Sequence, residues 1–221
     1  MINAEVYQSL LEELKPFNAT LLAVSKTKPV EDILALKSLG QKVFGENYVQ
    51  ELVAKSQEVK EVDWHFIGHL QSNKAKMIVP FVSLIHGVDS IKLLKEINKQ
   101  AETINRIQPC LLQIFIAREE TKFGLSIDEA TDFLTGNELA GLSNIRIDGF
   151  MGMATNTTDT TQIRSEFKSL RNLFERYQST HNLSVLSMGM SSDYKIALEE
   201  GSTMIRIGSA IFGERVYSEK I

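Results

Sequence analysis

Residues 21–45 read Leu21-Leu22-Ala23-Val24-Ser25-Lys26-Thr27-Lys28-Pro29-Val30-Glu31-Asp32-Ile33-Leu34-Ala35-Leu36-Lys37-Ser38-Leu39-Gly40-Gln41-Lys42-Val43-Phe44-Gly45. The run Leu21–Ser25 has the length of a strand. Its apolar character is continuous rather than alternating, which marks a strand buried on both faces. Pro29 suits a first helical position, Val30, Ile33, Leu34 and Leu36 supply an apolar face, and Gly40 suits the C-terminal cap. A second short run, Lys42–Gly45, follows at once. Strand, helix and strand in so short a span form the repeating unit of a parallel sheet.

The unit recurs along the chain. Further candidate strands are Trp64–Gly68, Ser83–Gly87, Cys110–Ile116, Ile145–Met151, Val185–Met188 and Met204–Gly208, which makes eight. Asn47 with Gln50 three residues on reads as a capping box before Tyr48, Val49, Leu52 and Val53. Ile163, Phe167, Leu170, Phe174 and Tyr177 form one apolar helical stripe. An extra helix near Ala4–Leu14 precedes the first strand and ends at Pro16. Beyond the leading segment, roughly 25 residues fall to each unit, enough for a strand, a short helix and two tight loops. Eight such units select the α/β class and a single (β/α)8 TIM barrel with an extra N-terminal helix. An open doubly wound sheet is the competing architecture. No Pro/Gly/Ser-rich linker divides residues 1–221, so one domain is expected.

Composition narrows the function. The chain has 221 residues, 43% hydrophobic and 24% charged, with a net charge of −4 and no block of like charges. Nucleic-acid surfaces normally show a basic excess, so none is expected here. Cys110 is the only cysteine, which excludes an intrachain disulfide or a multi-cysteine metal site and fits a reducing compartment. The start of the chain does not read as a targeting segment, and no apolar run approaches the roughly 18 residues of a membrane span. A soluble, cytoplasmic protein is the expectation.

In a barrel, chemistry belongs at the C-terminal ends of the strands. Lys26 ends the first apolar run and would point over the barrel mouth. Partial desolvation and neighbouring cations would favour its neutral, nucleophilic form, whereas Lys28 reads as a solvated surface charge. Met188–Asp193 and Arg206–Ala210 follow strands seven and eight, where barrels commonly hold a phosphate on backbone N–H groups. The plainer alternative is that Ser191 or Ser192 caps a helix and Gly208 makes a turn. Arg206, among apolar neighbours, needs a partner: a barrel acid such as Glu46, or a ligand in the mouth. His65 and His69 lack a third metal ligand nearby and read as satisfied histidines. Cys110 reads as a small core residue, and Phe150, Met151 and Met153 as core or ligand packing.

Ala23–Pro29, Phe44–Glu51, Trp64–Lys74, Thr121–Gly124, Ser187–Asp193 and Arg206–Gly213 together resemble the pyridoxal phosphate homeostasis protein family, relatives of the N-terminal barrel of alanine racemase. The segments run from the first strand to the last. The resemblance implies that Lys26 carries pyridoxal 5′-phosphate (PLP) as an aldimine. It implies that Ser191, Gly208 and Ser209 hold the phosphate, Asn47 lies near the ring, and Arg206 faces the pyridine nitrogen. Lys122 matches a family lysine discussed as a secondary PLP contact. Gly149–Thr155 fits the family less closely.

A guanidinium is always charged and only donates, so facing the ring nitrogen it would leave that atom unprotonated and weaken carbanion stabilisation. The chain ends about a dozen residues after the eighth strand, and no second domain is expected to supply the opposite-face group of racemases. The expected function is therefore to carry or buffer PLP in intracellular vitamin B6 homeostasis without robust turnover. Apo PLP-dependent enzymes are the candidate recipients, and a monomer is expected. The alternative is a weak amino-acid racemase, for which His69 and Tyr48 are the candidate proton-transfer groups. A third reading, without PLP, is a phosphosugar aldolase or isomerase using Lys26.

Overall fold

All eight apolar runs form strands, and they pair in parallel and in chain order around a closed barrel. They are β1 (Thr20–Val24), β2 (Val43–Glu46), β3 (Asp63–Phe66), β4 (Leu84–Val88), β5 (Gln108–Ile114), β6 (Ile145–Gly152), β7 (Val185–Met190) and β8 (Met204–Ile207). The structure, a computed structural model, describes residues 2–118 and 123–213. Strand limits differ from the sequence reading by two residues or fewer. Closure comes from β1 against β8, with Leu22 opposite Arg206. This excludes the open doubly wound sheet.

The helices that follow the strands are α2 (Val30–Ser38), α3 (Val49–Glu58), α4 (Ala75–Ile78), α5 (Ile91–Glu102), α6 (Ile127–Thr135), α7 (Thr160–His181), α8 (Tyr194–Glu199) and α9 (Ser209–Phe212). The extra N-terminal helix, α1, spans Ala4–Leu14, and Pro16 lies in the 3-10 turn that follows it. α2 ends as the sequence predicts. Gly40 has φ +102°, its N–H donates to Lys37 O at 2.9 Å, and Gln41 N–H donates to Leu36 O at 3.3 Å. These two bonds satisfy carbonyls the helix leaves open. Pro29 sits one residue earlier than predicted, at the N-cap.

The capping box expected at Asn47 does not form. α3 starts one residue later, with Tyr48 as N-cap and no side-chain cap. The Asn47 side chain lines the barrel mouth instead.

Two apolar layers result. The larger one joins the outer face of the barrel to the helices, and the α7 stripe of Ile163, Phe167, Leu170, Phe174 and Tyr177 is buried in it. Phe150 and Phe174 meet there edge to face, ring centres 6.3 Å apart. Phe150 and Cys110 therefore belong to the core, as expected. A smaller cluster of Leu84, Leu111 and Met151 fills the barrel interior. Among the described residues, no helix is long and apolar enough to cross a membrane.

Candidate functional site

A cavity of 230 Å³ opens at the ends of the strands where the chain leaves the barrel. Lys26, Asn47, Ser191, Arg206, Gly208 and Ser209, the six site residues expected from the sequence, all line it. They come from the turns after β1, β2, β7 and β8 and from β8 itself. Parallel strands bring them together because every strand delivers its C-terminal end to the same face. Met151 and Met153 also line the cavity, so part of the Gly149–Thr155 segment belongs to the pocket wall.

Lys26 projects from a turn. Lys28 N–H donates to Ser25 O at 3.0 Å, and Thr27 has φ +63°. This is the left-handed third position of a turn that favours glycine, and a β-branched residue there costs about 1–3 kcal/mol. Lys28 differs from its expected role. It is half-buried, lines the cavity, and donates from Nζ to Gly213 O at 2.9 Å. The turn draws it inward, which strand alternation alone does not reveal.

The β7 and β8 loops present two backbone turns. Asp193, not Ser191 or Ser192, is the N-cap of α8, and its carboxylate accepts the Met190 N–H at 2.6 Å. Ser191 and Ser192 are left at the exposed tip of the turn. Gly189 has φ +94°, and a Cβ there would stand 2.6 Å from Ala197 Cβ, so only glycine lets α8 dock this closely. In α9, Ile211 and Phe212 N–H donate to Gly208 O. The N–H groups of Ser209 and Ala210 precede those bonds, an arrangement suited to an anion. A Cβ on Gly208 would lie 3.1 Å from Val24 O, so the cradle is already closely filled.

Arg206 is buried, with 5% of its surface exposed. It does not pair with Glu46. Nη1 donates to Ser187 O at 2.8 Å and Ser187 Oγ at 2.7 Å, and Nη2 donates to Gly152 O at 2.9 Å. Burial lowers its pKa to about 10, which leaves it charged at neutral pH. The chain of contacts continues inward. Ser187 Oγ lies 3.1 Å from His86 Nδ1, and His86 Nε2 lies 3.0 Å from His65 Nδ1. Since a guanidinium only donates, the Ser187 hydroxyl proton can point to His86, and with neutral imidazoles the bonds run from Arg206 to His65. Burial keeps both rings neutral, moving the His65 pKa down to about 3 and that of His86 well below the ordinary histidine range.

Glu46 is occupied elsewhere. It is fully buried, accepts from Ser25 Oγ at 2.6 Å, and pairs with Lys55 Nζ at 2.8 Å. Its other oxygen and the Asn47 side-chain oxygen are buried without a hydrogen-bond partner among the described residues. Asn47 Oδ1 is an unmet acceptor on a cavity-lining residue. Such an atom is costly to bury unless a ligand or water satisfies it.

His69 does not line the cavity. Its Nδ1 lies 2.8 Å from Asp89, and its ring stacks on Phe123. His65 and His69 thus go to separate partners. Lys122 lies outside the described residues. Barrel closure brings His86 to Ser187 across 101 residues, whereas Lys55 reaches Glu51 at i, i+4 spacing within α3 and Glu46 nine residues back.

Residues 3–216 match the family described as alanine racemase, N-terminal domain. The pyridoxal phosphate homeostasis protein of Vibrio alginolyticus is 40% identical over 92% of this chain and 89% of its own length. That of Aquifex aeolicus is 39% identical over 90% of this chain and 88% of its own. The structure of PipY from Synechococcus elongatus PCC7942 with PLP bound superposes with a TM-score of 0.85 at 34% identity, covering 95% of this chain and 99% of that one.

Proposed function

The chain belongs to the alanine racemase N-terminal domain family and, within it, to the pyridoxal phosphate homeostasis proteins, and from that membership we propose that it binds PLP through Lys26 and carries or buffers it. The observation that carries this reading is one cavity that collects a turn-borne lysine, a buried arginine, Asn47 and two glycine- and serine-bearing loops. PLP binding in the related PipY supports it.

PLP supplies an aldehyde and an anionic phosphate on a pyridine ring. Lys26 would hold PLP through its amine, to which the aldehyde would offer an electrophilic carbon. Ser191, Gly208 and Ser209 hold the phosphate through hydroxyls and main-chain donors. Asn47 lines the pocket beside the ring. Arg206, anchored by Ser187 and Gly152, meets the pyridine nitrogen with a donor and keeps that atom unprotonated. A site that fails to protonate the ring stabilises a carbanion poorly. This suits holding and releasing the coenzyme within the cell better than turnover.

Borohydride reduction of the PLP-loaded protein, followed by peptide mass mapping, tests the attachment. A pyridoxyl adduct on Lys26, lost in Lys26→Ala, is the expected result, and an adduct elsewhere or none at all overturns it. Incubating the loaded protein with single-enantiomer amino acids in deuterated water tests turnover. Rapid α-deuteration would replace the carrier reading with that of a racemase.

A further inference from the structure

The two peptide groups that flank Lys26 are each held by a charged side chain of α3. Lys55 Nζ donates to Ser25 O at 2.7 Å, and Glu51 Oε1 accepts the Thr27 N–H at 2.6 Å. Ser25 is fixed a second time through its hydroxyl, which donates to Glu46 Oε1. The three charged residues are joined to one another, for Lys55 Nζ also reaches Glu46 Oε1 at 2.8 Å and Glu51 Oε1 at 2.6 Å. Lys26 thus sits between two anchor points of one triad.

The triad is placed where a stability role explains little. The Lys55 side chain is 7% exposed and that of Glu46 0%. Desolvating an ion pair this completely offsets most of its attraction, so such a pair does more to specify geometry than to raise stability. The local geometry needs specifying. Thr27 holds a left-handed backbone at φ +63°, which a threonine adopts only where its surroundings over-determine it. The Glu51 carboxylate on the Thr27 N–H supplies that constraint. Residues 49–58 form α3, and the i, i+4 spacing of Glu51 and Lys55 turns both toward the same strand end.

We propose that Glu51 and Lys55 are positioning residues for Lys26, holding the turn that aims its amine at the aldehyde of the ligand. The inference rests on the reading that Lys26 carries PLP. It assigns no contact with PLP to Glu51 or Lys55, which act through the backbone on either side of the lysine.

Lys55→Ala would leave Glu46 buried beside no counter-ion and endanger folding, so the test uses Glu51, whose side chain is 23% exposed. Wild type, Glu51→Ala and the double variant Glu51→Ala/Thr27→Gly are purified without coenzyme, melted, and titrated with PLP. The rate and amplitude of the imine absorbance are followed. Glu51→Ala should slow imine formation and weaken binding about ten-fold while the apo protein melts close to wild type. The added glycine takes the left-handed conformation without support, so it should recover much of the loss. Glu51→Ala behaving as wild type, or a double variant as impaired as Glu51→Ala, overturns the inference. Should wild type itself form no adduct at Lys26, the carrier reading fails and the positioning role with it. An adduct in wild type that Glu51→Ala forms equally well removes the positioning role alone.

Discussion

Arg206 Nη1 donates to the Ser187 hydroxyl across 2.7 Å inside the barrel, and that hydroxyl is the only side chain of the described residues to which the guanidinium is seen bonded. The same oxygen lies against His86. A buried cation is thereby hydrogen-bonded by a serine and two backbone carbonyls, with the Asp193 carboxylate acting on it through charge. Ser187→Ala should leave Arg206 and His86 each short of a partner. Loss of about 1–3 kcal/mol is expected, read as a lower urea midpoint at unchanged m-value. Retention of wild-type stability would show that the hydroxyl is dispensable.

His65 and His86 set the response to acid. Their folded pKa values lie below the ordinary 6.5, so between that value and the folded one the unfolded chain binds more protons and stability falls as pH drops. From pH 6.5 to pH 5 His65, with its folded pKa of about 3, withdraws about 2 kcal/mol, and His86 acts in the same direction. Glu46 acts in the opposite sense. Burial raises its pKa from 4.5 to about 7, so the folded state binds the extra proton over the same interval, which restores about 2 kcal/mol. Two histidines outweigh one glutamate, and net destabilisation is expected. Urea midpoints at pH 5 and pH 6.5 check the sign, and His86→Asn should flatten the difference.

Asn47→Ala separates the two states of the site. It removes a buried acceptor without a partner, so the apo protein should be unchanged or slightly more stable, within about 1 kcal/mol. PLP affinity should fall about ten-fold, since one hydrogen bond of this kind is worth about 1.4 kcal/mol at most. Calorimetry of the apo protein and a PLP titration give both numbers.

Gly189→Ala tests the phosphate-side turn. Its positive φ and the 2.6 Å approach to Ala197 Cβ leave no room for a methyl group. A loss above about 1 kcal/mol is expected, because the backbone conformation is incompatible as well as the space. Thermal melting measures it, and an unshifted Tm would show that α8 can move away freely.

Phe150→Ala and Phe123→Ala form a contrasting pair. Phe150 is wholly buried against Phe174, and its truncation should lower stability by about 3–5 kcal/mol. Phe123 is 60% exposed, and its truncation should stay within about 0.5 kcal/mol. Chemical denaturation of both variants decides the matter.

The closed barrel and all eight strands were legible because their cause is local. A continuous apolar run such as Leu21–Ser25 can only be buried on both faces, and the helical stripe of Ile163 to Tyr177 can only cover a sheet. The strand-end positions of Lys26, Asn47 and Gly208 follow from the same register. Partners were legible only where they were close in sequence. Arg206 reads as needing a partner, either a barrel acid such as Glu46 or a ligand in the mouth, and Glu46 is taken by Lys55, nine residues on in the following helix.

What the amino-acid order determined alone, then, was a repeated strand–helix period and the face on which the lysine, the arginine and the two small-residue loops must emerge. Only the tertiary structure decided that Ser187 and His86, 101 residues apart, would meet, that Lys55 and Glu51 would grip the peptides around Lys26, and that Lys28 would turn inward. The physical reason is that apolar burial depends on each residue's own periodicity. A buried polar contact depends on which distant groups barrel closure brings within about 3 Å, and no local pattern encodes that distance.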